Sequence, residues 1–213
     1  LTLRSDHKLS DNNFILCCFN SSYKITPKEL VIWAKILKNN QNCILWLLDS
    51  NSDFKKNIRN FFIKQDININ RLEFAKRLPH SNHLERLRHA DLFLDTFNYN
   101  AHTTCSDALW SGLPVVTKIG DQFSARVAAS LLKAIKMDEL ITTSNTEYED
   151  IIQELIRNKD KFFLLKEKLK RNIKTTPLFN TDKYTSNFEK AMTCIYKKKY
   201  KGEENSHIEI KDA

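Results

Sequence analysis

The feature that most constrains this chain is a series of short, unbroken apolar runs separated by segments of helical period. Phe14-Ile-Leu-Cys-Cys-Phe19 and Cys43-Ile-Leu-Trp-Leu-Leu48 each hold six residues without a polar interruption. A strand with one face in water alternates apolar and polar residues, so an unbroken run reads as a strand covered on both faces. Leu72-Glu-Phe74, Ala90-Asp-Leu-Phe-Leu-Asp95 and Pro114-Val-Val-Thr117 are shorter candidates. Between them lie helical signals. Thr26-Pro27-Lys28-Glu29 is a capping box with proline at the first helical position, and Leu30, Trp33, Ala34 and Leu37 follow at helical spacing. Helices are also expected over Phe54 to Lys64, from a Ser81 cap to about His89, from the Thr103 region to a stop at Gly112, and over Ser124 to Ile135. Thr146-Glu-Tyr-Glu149 reads as a second capping box, before Ile151, Ile152 and Leu155. Buried strands alternating with helices describe βαβ units and a doubly wound parallel α/β sheet. We expect one such lobe over residues 1–158, helices over 159–200 packing on it, and a polar tail over 201–213 that frays.

Composition narrows the partners. No apolar run approaches the roughly 20 residues of a spanning helix, and the start, Leu1-Thr-Leu-Arg, carries no secretory signal and suggests a fragment. A formal charge of +8 favours anionic partners: nucleotides, nucleic acid or acidic surfaces. Five cysteines without a CxxC pair, four of them (Cys17, Cys18, Cys43, Cys105) in or beside apolar segments, read as reduced packing thiols and point to the cytoplasm. With 3 glycines and no G-x-G-x-x-G, neither a dinucleotide fingerprint nor a P-loop is available. His80, His83 and His89 match no metal-ligand spacing, so no metal is expected. Trp33, Trp46, Trp110, Phe61-Phe62 and Phe162-Phe163 read as core.

In an open α/β sheet the ligand lies beyond the carboxyl ends of the strands. After the first strand, Asn20-Ser-Ser-Tyr-Lys24 is a polar loop whose lysine is either solvated or set to meet a phosphate. After the fourth, Asp95 to Asp107 enters a helix with hydroxyls at its cap positions, where free N–H groups and the helix dipole favour a diphosphate. Asp107 is either a capping carboxylate or a ligand for ribose hydroxyls. His83 and Arg86, three apart on one helix face, are placed to stack on and pair with a base.

The segment Leu92-Phe-Leu-Asp-Thr-Phe-Asn-Tyr-Asn-Ala-His-Thr-Thr-Cys-Ser-Asp-Ala-Leu-Trp-Ser-Gly-Leu-Pro-Val-Val-Thr117 resembles the signature of the O-linked N-acetylglucosamine transferase and SPINDLY-like family, glycosyltransferase family 41. Phe19-Asn-Ser-Ser-Tyr-Lys-Ile-Thr-Pro27, Ile44-Leu-Trp-Leu-Leu48, Ser124-Ala-Arg-Val-Ala-Ala-Ser130, Glu147-Tyr-Glu-Asp150 and Pro177-Leu-Phe-Asn-Thr181 match in order and spacing. The resemblance implies the GT-B architecture, two Rossmann-like lobes usually behind tetratricopeptide repeats, with this chain as the C-terminal lobe. It implies a UDP-sugar donor, UDP-N-acetylglucosamine, a protein acceptor, inverting transfer, and neither metal nor cofactor. By position, Lys24 would neutralise the diphosphate and Thr103 with Thr104 would bind it. His83, Arg86 and the Leu78 backbone would contact uracil, Asp107 the ribose, and His102 the sugar and diphosphate. Where the animal enzymes have a phosphate-holding Gln and a ribose-contacting Lys, this chain has Ser21 and His80; Tyr99 replaces a Cys beside the sugar's N-acyl group. Arg126 lies in a matching segment without an assigned role. Two other classes stand beside this reading: a noncatalytic UDP-binding scaffold, and a basic module for nucleic acid or an anionic membrane resting on the Lys197 to Lys201 cluster.

Overall fold

The computed structural model describes residues 2–204 and 206–210. Among them, β1 (Phe14–Cys18), β2 (Cys43–Leu48), β3 (Leu72–Ala75), β4 (Leu92–Leu94), β5 (Val115–Lys118) and β6 (Ile141–Thr142) form one parallel sheet in the order β3-β2-β1-β4-β5-β6. The helices are α1 (Pro27–Asn39), α2 (Ser52–Ile63), α3 (His80–Leu87), α4 (Thr103–Trp110), α5 (Val127–Ala134), α6 (Asn145–Arg157), α7 (Lys159–Thr175) and α8 (Thr181–Tyr200). The chain steps outward from β1 to β3, then returns to lay β4 on the other side of β1. Right-handed crossovers therefore put α1 and α2 on one face and α3, α4 and α5 on the other. The loops after β1 and β4 diverge there and leave a crevice, which is where such sheets hold ligands.

The unbroken runs are buried for the reason their composition implies. Ile15 to Cys18 and Leu92 to Leu94 have no exposed surface, and Trp33, Trp46, Phe62 and Tyr148 are buried around them. The Thr26–Glu29 capping box forms at the start of α1. β6 was not anticipated, because two residues at a sheet edge carry no periodic signal.

Several local expectations are corrected. The α6 cap lies two residues upstream of the Thr146 box: Ser144 accepts from the Glu147 amide, and the Glu147 carboxylate accepts from the Thr143 amide and hydroxyl. Pro79, not Ser81, precedes α3 as its cap, and α3 ends at Leu87. The helix expected over Ser124 to Ile135 is broken at Arg126, with a 3-10 turn over Phe123–Ala125 before α5. Trp110 is 53% exposed against Phe179, and Phe163 is 63% exposed, so neither is core. Leu165 and Leu169 of α7 enter the core, whereas α8 buries no residue. Residues 203–204 and 206–210 take no regular secondary structure; 205 and 211–213 of the expected tail lie outside the described residues.

Candidate functional site

The crevice floor is built from two strand-ending loops that bond to one another. Asn20, 2% exposed after β1, donates its amide to the Asp95 carboxylate (3.2 Å) and to the Thr96 hydroxyl (2.8 Å) after β4. Its carbonyl oxygen accepts the Thr104 hydroxyl at 2.7 Å, which ties the first turn of α4 to the β1 loop. Asp95 has no exposed surface. It accepts from Ala101 N–H (2.6 Å), Thr96 N–H (2.8 Å) and the Thr117 hydroxyl on β5 (2.7 Å). Burial pushes its carboxyl up to about 7, while these hydrogen bonds to the ionised form pull the other way. Glu29, also buried, closes the capping box on Thr26 and takes Phe97 N–H at 2.8 Å, so the start of α1 is fixed to the same loop.

Lys24 sits above this floor. Its ammonium donates to the Asn100 carbonyl at 2.9 Å and lies 3.7 Å from the centre of the Tyr99 ring. Partial burial pulls its proton affinity down from the usual lysine value, and the Asp95 carboxylate pushes it back up. Tyr99 meets His102 at 4.9 Å and Tyr23 at 6.3 Å between ring centroids, and His102 meets Phe123 at 6.2 Å. His102 Nε2 is 3.3 Å from the Ser124 carbonyl oxygen.

His102, rather than a hydroxyl residue, is the cap of α4, and it supplies no side-chain acceptor. The first N–H groups of a helix have no intrahelical acceptor, so this end of α4 keeps its positive pole open. Thr103 is exposed there, while Thr104 has given its only hydroxyl proton to Asn20. Asp107 lies one turn in and does not cap; its Oδ1 is 3.1 Å from Nε2 of His80, the first residue of α3. Leu78, 41% exposed, precedes α3, and Ser21 precedes the 3-10 turn Ser22–Lys24.

His83 and Arg86 do share a face of α3, but they lie at different depths. Arg86 is 3% exposed, stacks 4.7 Å from the Phe19 ring centre, bonds the Lys76 carbonyl, and gives its Nε–H to His83 Nδ1 at 3.0 Å. The histidine therefore stands over the arginine. Burial, then the adjacent guanidinium, lowers the His83 imidazole to about 4, leaving a neutral ring protonated on Nε2. Arg126 donates to the Gly120 carbonyl at 2.7 Å and braces the 120–126 loop. A Cβ at Gly120 would fall 2.7 Å from the Ala125 Cβ, so glycine permits that close approach. Sequence reasoning did not single out Asn20, Asp95 or Asn100, nor the Phe97 N–H that Glu29 accepts beyond its capping role; the readable signal was a carboxylate closing the apolar run Leu92–Asp95 at a strand's carboxyl end.

These features share one crevice, and comparison with known proteins gives it a lineage. The family profile described as glycosyl transferase family 41 matches residues 1–188. The chain belongs to that family. It is 33% identical over 208 residues to the probable UDP-N-acetylglucosamine–peptide N-acetylglucosaminyltransferase SEC of Arabidopsis thaliana, covering 97% of this chain and 21% of that protein. It is 32% identical to the Caenorhabditis elegans UDP-N-acetylglucosamine–peptide N-acetylglucosaminyltransferase, covering 98% of this chain and 18% of that one. A solved mutant of the Thermobaculum terrenum O-GlcNAc transferase superposes with a TM-score of 0.80 at 29% identity, over 86% of this chain and 36% of its own. The chain thus spans about a fifth of the length of these curated relatives. The fold is that of one GT-B lobe. No described helix is long and apolar enough to cross a membrane, and no described cluster of His, Cys, Asp or Glu is grouped to hold a metal.

Proposed function

We propose that this family 41 chain is the donor-binding lobe of a nucleotide-sugar-dependent protein O-glycosyltransferase, with UDP-N-acetylglucosamine as donor. The observation that carries this reading is the pairing of an open helix N-terminus at Thr103 with the Lys24 ammonium across the sheet's switch point. An ammonium has donors to spare beyond its bond to Asn100 O, and the helix pole adds partial positive charge, so a diphosphate is met from two sides. The crevice also has a direction. On the α3 side of α4 stand His80, Asp107 and His83, with Leu78 beside them: neutral imidazole and carboxylate suit a base and a ribose. On the other side stand Tyr99, His102 and Phe123, a surface suited to a sugar ring. Ser21 lies beside Lys24 at the phosphates.

In transfer, negative charge develops on the departing nucleoside diphosphate, and Lys24 with the α4 N–H groups would stabilise it. Charge neutralisation by these groups leaves no step that requires a metal, and inversion at the sugar carbon follows from direct attack by an acceptor hydroxyl. The groups that would activate the acceptor and the channel that would hold the protein acceptor are expected largely in the family's first lobe, which usually follows tetratricopeptide repeats. All five cysteines are free, which favours a reducing compartment such as the cytoplasm. Calorimetric titration with UDP and UDP-N-acetylglucosamine, against a cytidine nucleotide, tests the reading. It requires saturable one-to-one binding of the uridine compounds; equal heats for the cytidine control would refute it. The isolated chain should show little or no transfer.

A further inference from the structure

One peptide group in the crevice is held between opposite charges. Its N–H, at Ala101, points to Asp95 Oδ1 at 2.6 Å, and its C=O, at Asn100, accepts the Lys24 ammonium at 2.9 Å. Carboxylate, peptide dipole and ammonium are aligned head to tail, so each bond polarises the next. The peptide cannot turn away, because Asn100 has no exposed surface, donates its side-chain amide to Thr96 O at 2.7 Å, and gives its own N–H to Ser124 O at 2.8 Å.

We propose that Asp95 is a positioning residue for the donor site, acting through the Asn100–Ala101 peptide to hold the Lys24 side chain in place and in its charged form. The inference rests on the reading that Lys24 serves the diphosphate. A carboxylate is a costly choice for this position. Burial alone would neutralise it, and an Asn of the same shape could still accept Ala101 N–H through its oxygen. Only a charge, however, also offsets the desolvation that lowers Lys24, and the lowering effect of burial on that lysine is opposed first by Asp95. The other titratable groups that interact with the carboxylate are Cys18 on β1, Cys105 on α4 and Tyr148 on α6, whose hydroxyl donates to the Asp95 carbonyl at 3.1 Å, while Lys118 on the neighbouring β5 stacks 4.4 Å from the Phe97 ring centre. Lys24 is a cation whose charge Asp95 supports.

The test follows the Lys24 side chain by carbon-13 NMR at Cε against pH in the full chain, with Lys24→Arg identifying the signal. In Asp95→Asn the Lys24 midpoint should fall by about one pH unit, a tenfold loss of proton affinity; coincident midpoints in the two chains would overturn the proposal. Should Asp95→Asn fail to fold, the unaltered chain decides. Its Lys24 signal should show a second, smaller inflection at the pH where the Asp95 carboxyl carbon titrates, and a single inflection would overturn the coupling. No nucleotide is needed for either readout. A chain that binds no UDP-N-acetylglucosamine while Lys24 still answers to Asp95 would support the coupling and refute the donor-site reading.

Discussion

Keeping Asp95 ionised should make the fold lose stability as pH rises, and replacing it with Asn should remove that loss. Its carboxyl is raised from an ordinary 3.8 to about 7, and burial is the first cause. A raised acid contributes stability that is complete below its unfolded value and disappears as pH climbs through its folded one. Across the whole gap that is on the order of 4 kcal/mol at about 1.36 kcal/mol per pH unit. Between about pH 5 and about pH 8.5, linkage gives the unaltered chain a relative loss of about 3 kcal/mol. Histidines and surface groups also titrate in this range, so the quantity to read is the difference between the two chains. Urea unfolding followed by tryptophan fluorescence suits it, since Trp33 and Trp46 are 0% and 1% exposed and should redshift on unfolding. With a urea slope of about 2–3 kcal/mol per molar, the Asp95→Asn midpoint should rise relative to the parent by about 1 M over that interval. Midpoints that run parallel from pH 5 to pH 8.5 would refute the reasoning.

Three further outcomes follow. The His83 ring should stay neutral to well below pH 6, its imidazole resonance moving only near pH 4, and because its proton affinity is lowered, its contribution to stability is complete above about 6.5 and lost as pH falls toward 4. Glu29→Ala should cost about 3 kcal/mol in urea unfolding, since it orphans both the Phe97 and Thr26 amides; a loss under about 1 kcal/mol would mean the loop is held without it. Gly120→Ala should cost about 1–3 kcal/mol by forcing the added methyl into Ala125, read from the same midpoints, and a neutral result would show that the Phe123–Ala125 turn moves aside.

How much of this was legible in the sequence depends on the range of the interaction. The central strands could be read because burial on two faces removes polar residues from Phe14–Cys18 and Cys43–Leu48, and the α1 cap because Thr26 and Glu29 are three residues apart. The Thr146 box failed because Ser144 and Glu147 offer the same pattern two residues earlier, and short-range spacing cannot choose between them. Trp110 and Phe163 misled because aromatic character does not reveal which side of a helix meets the sheet. Lys24 and Thr103 are candidates from loop position and family resemblance together, and the structure places them beyond the ends of β1 and β4. Asn20, Asp95 and Asn100 were not singled out, since their roles arise from contacts 75 or more residues apart, Asn20 to Asp95 and Lys24 to Asn100. Arg86 was placed on the correct face, but nothing local told that it lies beneath His83.

The central claim is that a nucleotide diphosphate binds between Lys24 and the start of α4. Amide chemical-shift mapping by nitrogen-15 NMR during a UDP titration tests it most directly. The account predicts saturable shifts concentrated at Thr103 and Thr104, at residues 21–24 and at residues 78–83, all reduced at matched UDP in Lys24→Ala. Shifts confined to the Lys197–Lys201 end of α8, or saturable binding that leaves Thr103 and Thr104 unmoved, would contradict it.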